Sequence, residues 1–407
     1  MKILVHHRIA SRDGQTVHLE ELVAALRRRG HDLIVVGPGI GGTDFGGSLG
    51  FVDWIKKVLP QSLYELAELA YNLPAFIRLA RAVHGFHPDV IYERFNLFLL
   101  AGIMVHRLTG IPLLLEVNGP LFEERAKNVG LSLHRLARRC QKFLWNAADC
   151  VLPVTGVLAA IVRSYGVPDE RIAIIPNGIN PERFGTIPEI GAAKAALGIN
   201  ARIVLGFTGF VRQWHAMERV IDFVATHHDR LDLHFLLVGD GPVRDELIAR
   251  ARAKGVADRF TVTGVVARDE VGRYVAAFDI ALQVGVTEYA SPLKLFEYMY
   301  LERAIVAPAT DNIREILTDG QDALLFDPTQ RDALEAALLR LCEADDLRAQ
   351  LAHQARLTIE TKSLTWDTNA QRVVHLAEVL QRRGAMHDVS TRRIDGAPVD
   401  GPARPSD

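Results

Sequence analysis

The sequence is poor in cysteine and carries no excess of charge of either sign. Its three cysteines, Cys140, Cys150 and Cys342, are scattered and form no Cys-x-x-Cys pair. This spacing argues against a disulfide framework and a structural zinc site, and it favours reduced thiols in a reducing compartment. The 47 basic residues nearly balance the 49 acidic ones, so the net charge of −2 gives no overall attraction to nucleic acid.

Long apolar segments are also missing. The longest apolar run, residues 97–105, has about half the length that a membrane-spanning helix needs. The start of the chain turns polar at His6, too soon for a signal peptide, so we expect a cytoplasmic protein. Basic clusters at 27–29 and 135–139 leave peripheral contact with the inner membrane face open, although such clusters are more often solvated helix faces.

The sequence does contain repeated alternation of strand and helix patterns. Aliphatic runs at 2–5 and 32–36 flank a helical period at 17–29, which predicts a βαβ unit with a parallel sheet. Residues 180–200 are rich in Gly, Pro and Ala and predict a linker, after which a second series of the same kind begins at 203. The 407 residues therefore predict two domains of similar design.

A glycine-rich segment at 37–42 matches the pattern G-x-G-x-x-G of dinucleotide-binding folds. In those folds the pattern closes the first strand and opens a helix. Here it follows the second strand and leads into further glycines, so we interpret it as a mobile loop beside the cleft.

The stretch around Ser291 has the residues expected where a helix begins next to an anion. Ser291 is suited to the N-cap and Pro292 to the first helical position, which leaves the following N–H groups without intrahelical partners. With the helix dipole and the charge of Lys294 they predict a phosphate site, and Glu297 one turn later can accept hydroxyl groups. The alternative is a surface capping motif with a Lys–Glu pair.

Other polar residues follow predicted strands at the ends where parallel sheets bind ligands. In the second series these are Arg212, which suits a diphosphate, and His215, for which a structural histidine is the alternative. In the first series Glu116 and Asn118 end a buried strand, where catalytic or sugar-binding groups lie. The alternative for Glu116 is a structural ion pair with Arg94.

Several motifs occur in one fixed order along the chain. They are Asn177-Gly178-Ile179, Gly209…Arg212…His215, Gly239-Asp240-Gly241-Pro242, Thr263-Gly264 and Ser291-Pro292-Leu293-Lys294…Glu297. In this order, and over residues 1–384, the chain resembles the retaining glycosyltransferases of family 4. The resemblance implies the α/β fold named GT-B, in which two Rossmann-like domains with doubly wound parallel sheets face a cleft.

Domain boundaries and site residues follow from the same resemblance. It implies an acceptor-binding domain at 1–185, a linker at 186–200, a nucleotide-sugar-binding domain at 201–364, a helix at 365–384 that returns to the first domain, and a disordered tail at 385–407. The implied donor site is Gly14, Arg212, His215, Gly239, Asp240, Gly241, Gly264, Val265, Glu288, Tyr289, Ser291, Pro292, Leu293, Lys294 and Glu297. The implied acceptor site is Arg94, Glu116 and Asn118, and catalysis falls to Glu116, Asn118, Arg212 and Lys294.

The chain departs from the family pattern at two positions. The family has a sugar-binding glutamate eight residues before Glu297, where this chain has Tyr289, with Glu288 one position away. The histidine of the family's first domain is replaced by Asn118. A subgroup with Ser-Pro-Leu-Lys and Glu-Val-Asn is similar in both respects, so we interpret these as subgroup features.

The implied function is transfer of a sugar from a nucleoside diphosphate sugar to an acceptor hydroxyl with retention of anomeric configuration. Because no Asp-x-Asp metal motif stands in a suitable loop, we expect neither a metal nor a cofactor. The expected partners are the nucleotide sugar and a glycan, lipid-linked or small-molecule acceptor. The alternatives are a nucleotide-sugar epimerase or hydrolase of the same fold, and a non-catalytic partner subunit that binds nucleotide or glycan.

Overall fold

The first half of the chain is built on a five-stranded parallel sheet with the order β2-β1-β3-β4-β5. The computed structural model describes residues 1–9, 14–38 and 59–395. The strands are β1 (Lys2–His6), β2 (Asp32–Val36), β3 (Val90–Arg94), β4 (Leu113–Val117) and β5 (Cys150–Pro153). β3 and β4 are buried along their whole length, which is typical of a parallel sheet covered on both faces.

Helices pack on both faces of this sheet. They are α1 (Gly14–Arg28), α2 (Gln61–Ala70), α3 (Asn72–Phe86), α4 (Ala101–Thr109), α5 (Leu121–Glu124), α6 (His134–Ala147) and α7 (Gly156–Ser164). Successive residues of β1 alternate between two cores: Leu4 packs with the core of α3 and α6, and Ile3 with the core of α1. A π-helical turn, Arg125–Val129, directly follows α5.

The second half has a six-stranded parallel sheet with the order β11-β10-β9-β6-β7-β8. The strands are β6 (Ile203–Thr208), β7 (Leu233–Val238), β8 (Phe260–Val262), β9 (Ile280–Leu282), β10 (Ala304–Pro308) and β11 (Leu324–Phe326). This is the order of a dinucleotide-binding Rossmann sheet, and the first half has the order of flavodoxin-like sheets. The predicted architecture of two doubly wound parallel sheets is confirmed.

The remaining helices follow in chain order, and the first of them precedes the second sheet. They are α8 (Ile190–Ala196), α9 (Glu218–His227), α10 (Arg244–Ala253), α11 (Val271–Val275), α12 (Leu293–Tyr300), α13 (Asp311–Arg314), α14 (Ala333–Glu343), α15 (Asp345–Thr361) and α16 (Trp366–Asp395). Short 3-10 turns are Asp169–Arg171, Pro181–Phe184, Gln213–His215 and Ala257–Arg259. The segment that we expected to be a linker, 186–200, contains α8.

The last helix returns to the first half of the chain. Trp366, Ala370, Val373 and Ala377 of α16 are buried in the core that α1 forms with the first sheet. The helix continues to Asp395, so the expected disordered tail from 385 onward is wrong for residues 385–395. A single glycine such as Gly384 costs a helix only about 1 kcal/mol and does not end it. Residues 396–407 lie outside the described residues.

Candidate active site

The strand orders determine where a ligand can enter. In doubly wound sheets ligands bind at the carboxyl ends of the strands, where the strand order reverses. In the second half that point lies between β6 and β9, and in the first half between β1 and β3. A cleft of about 970 Å³ lies at these ends, and residues of both halves line it.

The start of α12 forms one wall of this cleft. α12 begins at Leu293, and Pro292 occupies the N-cap position with φ −72° and ψ 116°. The expectation that Ser291 caps this helix is wrong. Its hydroxyl accepts a hydrogen bond from the N–H of Asn177 at 3.2 Å, and its carbonyl accepts one from the side chain of Asn177 at 2.5 Å.

The structure nevertheless leaves donors free at this helix start. The N–H of Leu295 bonds to the carbonyl of Pro292, whereas those of Leu293 and Lys294 make no hydrogen bond to another described residue. Ser291, Pro292, Leu293 and Lys294 all line the cleft. Two free N–H groups at the positive end of a helix dipole suit a phosphate.

Lys294 supplies the charge beside these donors. Its Nζ atom lies 3.8 Å from the centroid of the Phe207 ring. Burial lowers the pKa of Lys294 to about 7, and Glu297 only partly opposes this. The ammonium group of Lys294 therefore loses its proton more easily than an exposed lysine does, and an anionic ligand would stabilise its charged form.

Arg212 and His215 lie on the loop after β6, as predicted, and both line the cleft. The Arg212 guanidinium lies 4.9 Å from the ring centroid of Phe210 and 5.1 Å from that of Trp214. The N–H of Arg212 donates to Nδ1 of His215 at 3.0 Å. Burial, followed by the nearby Lys294 and Arg212, lowers the pKa of His215 to about 2.

His215 is therefore neutral. The resemblance led us to expect a role for it beside Arg212 at a diphosphate, but a neutral imidazole adds no positive charge there. A neutral imidazole that accepts at Nδ1 carries its proton on Nε2. His215 is thus a neutral hydrogen-bond donor at the cleft, and the positive charge comes from Arg212 and Lys294.

The glycine turns of the second half bring two loops into backbone contact. A Cβ at Gly239, where φ is +138°, would lie 2.2 Å from the carbonyl oxygen of Gly209. A Cβ at Gly241 would lie 2.0 Å from the carbonyl oxygen of Val211. Only glycine permits this approach, which sets the Arg212 loop against the turn after β7.

Five residues of the implied donor site, at 239–241 and 264–265, are divided between the cleft and its support. Gly239, Asp240 and Val265 line the cleft, and Val265 is 55% exposed. Gly241 and Gly264 do not belong to the lining, and Gly264 turns the chain with φ +72°. An exposed aliphatic side chain at this position is suited to the face of a flat ring.

Glu297 lines the cleft one turn beyond Lys294. Burial raises its pKa, and Arg183, Arg268 and Lys294 oppose that rise. The carboxylate of Glu297 makes no hydrogen bond or ion pair to another described residue, so it is available to ligand hydroxyls.

A cluster of charges beside Glu297 joins the two halves. Arg268 donates to Glu20 and to Glu21 of α1, both at 2.8 Å, and Arg183 donates to Glu21 at 2.8 Å. The Nε atom of Arg268 is buried and has no hydrogen-bond partner among the described residues. Arg268 and Glu20 line the cleft, and the sequence pattern pointed to neither of them.

The first half contributes a buried network around Glu116. Arg94 donates to its carboxylate at 2.7 Å, Tyr92 donates at 2.7 Å, and His18 Nε2 lies at 3.2 Å. Asn118 also donates to it. Burial raises the pKa of Glu116, but His18, Arg94 and the hydrogen bonds outweigh it and hold the pKa well below its ordinary value.

Glu116 is 2% exposed and does not belong to the cleft lining, so the structure corresponds to the alternative of a structural ion pair with Arg94. Arg94, Asn118 and His18 do line the cleft. The expected contact between Glu116 and the acceptor therefore has to be indirect, through the side chains that Glu116 holds. His18 lies one helical turn after Gly14, the first residue of α1. No sequence motif pointed to His18 as a site residue, and its contact with Glu116 is seen only in the structure.

Glu288 and Tyr289, the two residues considered for the family's sugar-binding glutamate position, do not line the cleft. Glu288 is exposed outside the cleft, and the Tyr289 side chain packs against the core of the first half. The hydroxyl of Thr155 donates to the carbonyl of Tyr289 at 2.9 Å. The predicted contact of either residue with a donor sugar is therefore not a direct one in this structure.

Within 1–9, 14–38 and 59–395, no three or more His, Cys, Asp or Glu side chains are grouped as metal ligands. No helix in the same ranges is long and apolar enough to cross a membrane. The G-x-G-x-x-G segment lies outside the described residues from position 39 onward.

Comparison with known proteins identifies both halves. The family model described as Glycosyltransferase Family 4 matches residues 12–183, and that described as Glycosyl transferases group 1 matches residues 202–344. The chain is 27% identical to a 2-deoxystreptamine glucosyltransferase of Streptomyces kanamyceticus over 47% of this chain and 51% of the relative. It is 24% identical to a GDP-mannose-dependent alpha-mannosyltransferase of Mycobacterium tuberculosis, over 77% of this chain and 80% of the relative.

The fold also matches that of a solved structure. The crystal structure of Anabaena Alr3699/HepE in complex with UDP is similar with a TM-score of 0.72, at 19% identity, over 93% of this chain and 100% of that one. The chain spans about half the length of the first curated relative and about four fifths of the second.

Proposed function

We propose that this chain of GT-B fold, whose two halves match glycosyltransferase family models, moves a sugar from a nucleoside diphosphate sugar to an acceptor hydroxyl. The proposed transfer retains the anomeric configuration and needs neither a metal ion nor a cofactor. The observation that carries this proposal is the anion site between the halves, formed by Arg212, Lys294, the neutral donor His215 and the free N–H groups of α12.

This site suits a leaving diphosphate. When the bond between the sugar carbon and the phosphate oxygen breaks, negative charge grows on the diphosphate, and preorganised donors and cations stabilise it where it forms. Arg212 offers paired donors and Lys294 a point charge. These groups supply the neutralisation that a divalent ion provides in other sugar transferases, which supports metal-independent transfer.

Retention follows from attack on the face that the diphosphate leaves. The acceptor oxygen forms the new bond to the sugar carbon, and its proton passes to the departing phosphate oxygen. The name of the mycobacterial relative joins a GDP-mannose donor to an alpha product, and the donor sugar of GDP-mannose is also alpha-linked. That relative and the resemblance to a retaining family support retention for this chain.

Glu297 is proposed to hold the ribose hydroxyls of the nucleotide. A carboxylate accepts hydrogen bonds from two neighbouring hydroxyls, and Glu297 lies one helical turn from the phosphate site. Val265 is proposed to cover the face of the base, because it is exposed in the cleft beside Gly239.

The acceptor is proposed to bind along the first half. The wall there contains Arg94, Asn118, Glu68 and Arg125. Arg125 pairs with Glu68 at 2.8 Å, so charges of opposite sign compensate each other on this wall. Such a wall favours a neutral acceptor rich in hydroxyl groups, whether a small molecule, a glycan or a lipid-linked sugar, over a highly charged one.

We also propose that the protein is cytoplasmic and that it contacts an anionic membrane face through α6. Arg135, Arg139 and Lys142 are exposed on this helix, and no ion pair joins them to another described residue. Phe143 on the same helix is 38% exposed. The cluster at 27–29 is a weaker candidate, because Arg28 pairs with Asp367 of α16 at 2.6 Å.

Cosedimentation tests the membrane proposal. Vesicles that contain phosphatidylglycerol should retain the chain, and pure phosphatidylcholine vesicles should not. The triple variant Arg135→Glu, Arg139→Glu, Lys142→Glu should lose this binding, whereas Arg230→Glu at an exposed site in the second half should keep it. Equal binding of both variants, or no preference for anionic lipid, would contradict the proposal.

The function is tested by ligand binding followed by turnover. UDP-, GDP-, ADP- and dTDP-sugars are compared by thermal shift, because a ligand raises apparent stability by mass action. The preferred donor is then incubated with a panel of hydroxylated acceptors, and the anomeric coupling constant of the product is measured by NMR. Donor turnover without an acceptor would favour the epimerase or hydrolase, and binding without turnover would favour the silent partner subunit.

A further inference from the structure

Position 289 marks an unusual contact between the two halves. The Tyr289 ring packs against the core of the first half rather than the cleft, and its hydroxyl donates a hydrogen bond to the carboxylate of Glu124. Glu124 lines the cleft, whereas Tyr289 does not. The side chain that replaces an expected glutamate is thus bonded to a glutamate of the opposite wall.

Gly119 makes this arrangement sterically feasible. A Cβ at Gly119 would lie 2.2 Å from Oε1 of Glu124 and 3.3 Å from Cε2 of Tyr289. The carboxylate therefore lies directly over the backbone of residue 119. Gly119 and the neighbouring Asn118 line the same part of the cleft.

The local backbone directs Glu124 toward the cleft and its neighbour Glu123 away from it. Glu124 is the last residue of α5, and the π-helical turn Arg125–Val129 follows at once. π-turns of this kind occur frequently at functional sites. Glu123 instead accepts hydrogen bonds from Gln141 at 2.9 Å and from Tyr165 at 2.5 Å.

Among the residues that the structure describes, no cation pairs with Glu124. Arg125, the nearest arginine in the sequence, pairs with Glu68 at 2.8 Å, and no ion pair joins Glu124 to another described residue. Its pKa is raised by burial, which the Tyr289 hydrogen bond partly opposes. A partly buried carboxylate with one oxygen held by a tyrosine still has acceptor capacity for a ligand.

The position of Glu124 relative to the anion site identifies this ligand. Thr287, Ala290 and Ser291, which flank Tyr289 in the loop before α12, line the cleft. A sugar attached to a phosphate at Lys294 has to lie beside this short loop, because one oxygen atom separates its first carbon from the phosphorus. Glu124 approaches the same loop from the facing wall.

We propose that Glu124 binds hydroxyl groups of the transferred sugar, in place of the carboxylate that the sequence pattern expects at 289, and that Tyr289 is the positioning residue that holds it there. The proposal rests on the proposed function. It makes recognition of the donor sugar a task of the first half of the chain. The sugar is therefore recognised only when the two halves are together.

The test separates binding of the nucleotide from binding of its sugar. For Glu124→Gln and Glu124→Ala, isothermal titration calorimetry gives the Kd of the nucleoside diphosphate and of the intact nucleotide sugar. The diphosphate should bind within twofold of the unaltered chain. The nucleotide sugar should bind between about tenfold and hundredfold more weakly, the loss expected for a hydrogen bond to a charged group.

Two further variants control the result. Glu123→Gln removes a neighbouring carboxylate that faces away from the cleft and should leave both Kd values unchanged. Tyr289→Phe should weaken the nucleotide sugar in the same way as Glu124→Gln, and the two changes combined should be less than additive, because they act on one interaction. Circular dichroism and the thermal midpoint verify that each variant is folded.

Three results would overturn the inference. They are an unchanged Kd of the nucleotide sugar in both Glu124 variants, an equal loss for the nucleoside diphosphate, and a rise confined to the KM of the acceptor. If the unaltered chain bound no nucleotide sugar at all, the proposed function itself would be contradicted. Titration of the unaltered chain therefore tests the proposed function separately from the role of Glu124.

Discussion

The Nζ atom of Lys294 lies 3.8 Å from the centroid of the Phe207 ring, at the innermost part of the anion site. An ammonium group over an aromatic ring keeps some electrostatic stabilisation while it loses water. In Lys294 the loss of water dominates, and burial lowers its pKa to about 7. The group that we propose to neutralise the diphosphate therefore titrates near neutral pH when no ligand is present.

Affinity for a nucleoside diphosphate should fall as the pH rises above 7. The ligand stabilises charged Lys294 and raises its pKa, so binding takes up a proton wherever the free protein has lost it. The terminal phosphate of the ligand, with a pKa of about 6, is already fully ionised in this range. We expect a loss of up to about tenfold per pH unit between pH 7 and 9, measured by calorimetry.

Lys294→Arg provides the control, because a guanidinium stays charged up to a pKa above about 12. This variant should bind with an affinity that hardly changes between pH 7 and 9. Titrations in two buffers of different ionisation enthalpy should show proton uptake for the unaltered chain at pH 8. An affinity of the unaltered chain that is independent of pH would contradict either the lowered pKa of Lys294 or its contact with the diphosphate.

Removing Arg212 should affect the transferring step more than folding. Arg212→Ala deletes paired donors from the site of developing charge, and we expect kcat/KM to fall by about a hundredfold or more. Arg230→Ala, which removes an exposed arginine paired with Glu343, is the matched control and should retain full activity. Unimpaired transfer by Arg212→Ala would contradict the assignment of the anion site.

Glu116 should stabilise the fold in a manner that depends on pH. Its pKa in the folded chain lies below the ordinary value of 4.5. The stabilisation is therefore complete above about pH 4.5 and is lost as the pH falls toward the lowered pKa. At pH 7, Glu116→Gln leaves Arg94 without its partner, which should lower the free energy of unfolding by about 3–5 kcal/mol.

Denaturant unfolding at pH 7 and pH 4 measures this difference. The destabilisation by Glu116→Gln should be smaller at pH 4 than at pH 7. Glu246→Gln, on the exposed side of α10, should have little effect at either pH. A loss that is equal at both pH values would show that the charge of Glu116 does not contribute.

The three cysteines should be unreactive in the folded chain. All three are buried, and burial raises the pKa of Cys150 to about 11 and that of Cys342 to about 12. At pH 8 the reactive thiolate is then scarce, so Ellman's reagent should label none of them quickly. All three should react after unfolding in guanidinium chloride. Rapid labelling of the folded chain would indicate an opening of one of the two halves.

The fold was predictable from the sequence, and candidate residues for an anion site could be chosen from it, because both depend on local patterns. Aliphatic runs that end in polar loops specify parallel strands, and the run from Pro292 to Glu297 specifies a helix start with a lysine and a glutamate on one face. The detailed partners depend on distant segments instead. Ser291 bonds to Asn177, which lies 114 residues away, so local capping rules gave the wrong partner for its hydroxyl.

Charge states, and some residues of the site, could not be predicted because they also depend on contacts between distant segments. The neutral state of His215 results from burial beside two cations, which residue types alone do not reveal. His18 has no motif of its own, and its importance appears only through its contact with Glu116. Tyr289 turns into the first half because Gly119 leaves room for it, although the two residues are far apart in sequence.

The return of α16 to the first half affects the order in which the chain can fold during synthesis. Trp366, Ala370, Val373 and Ala377 complete the core that contains Ile3 and Leu22. The ribosome makes these four residues only after the whole second half has been synthesised. The first domain to be synthesised therefore remains with an open apolar face, and it is the last to become complete.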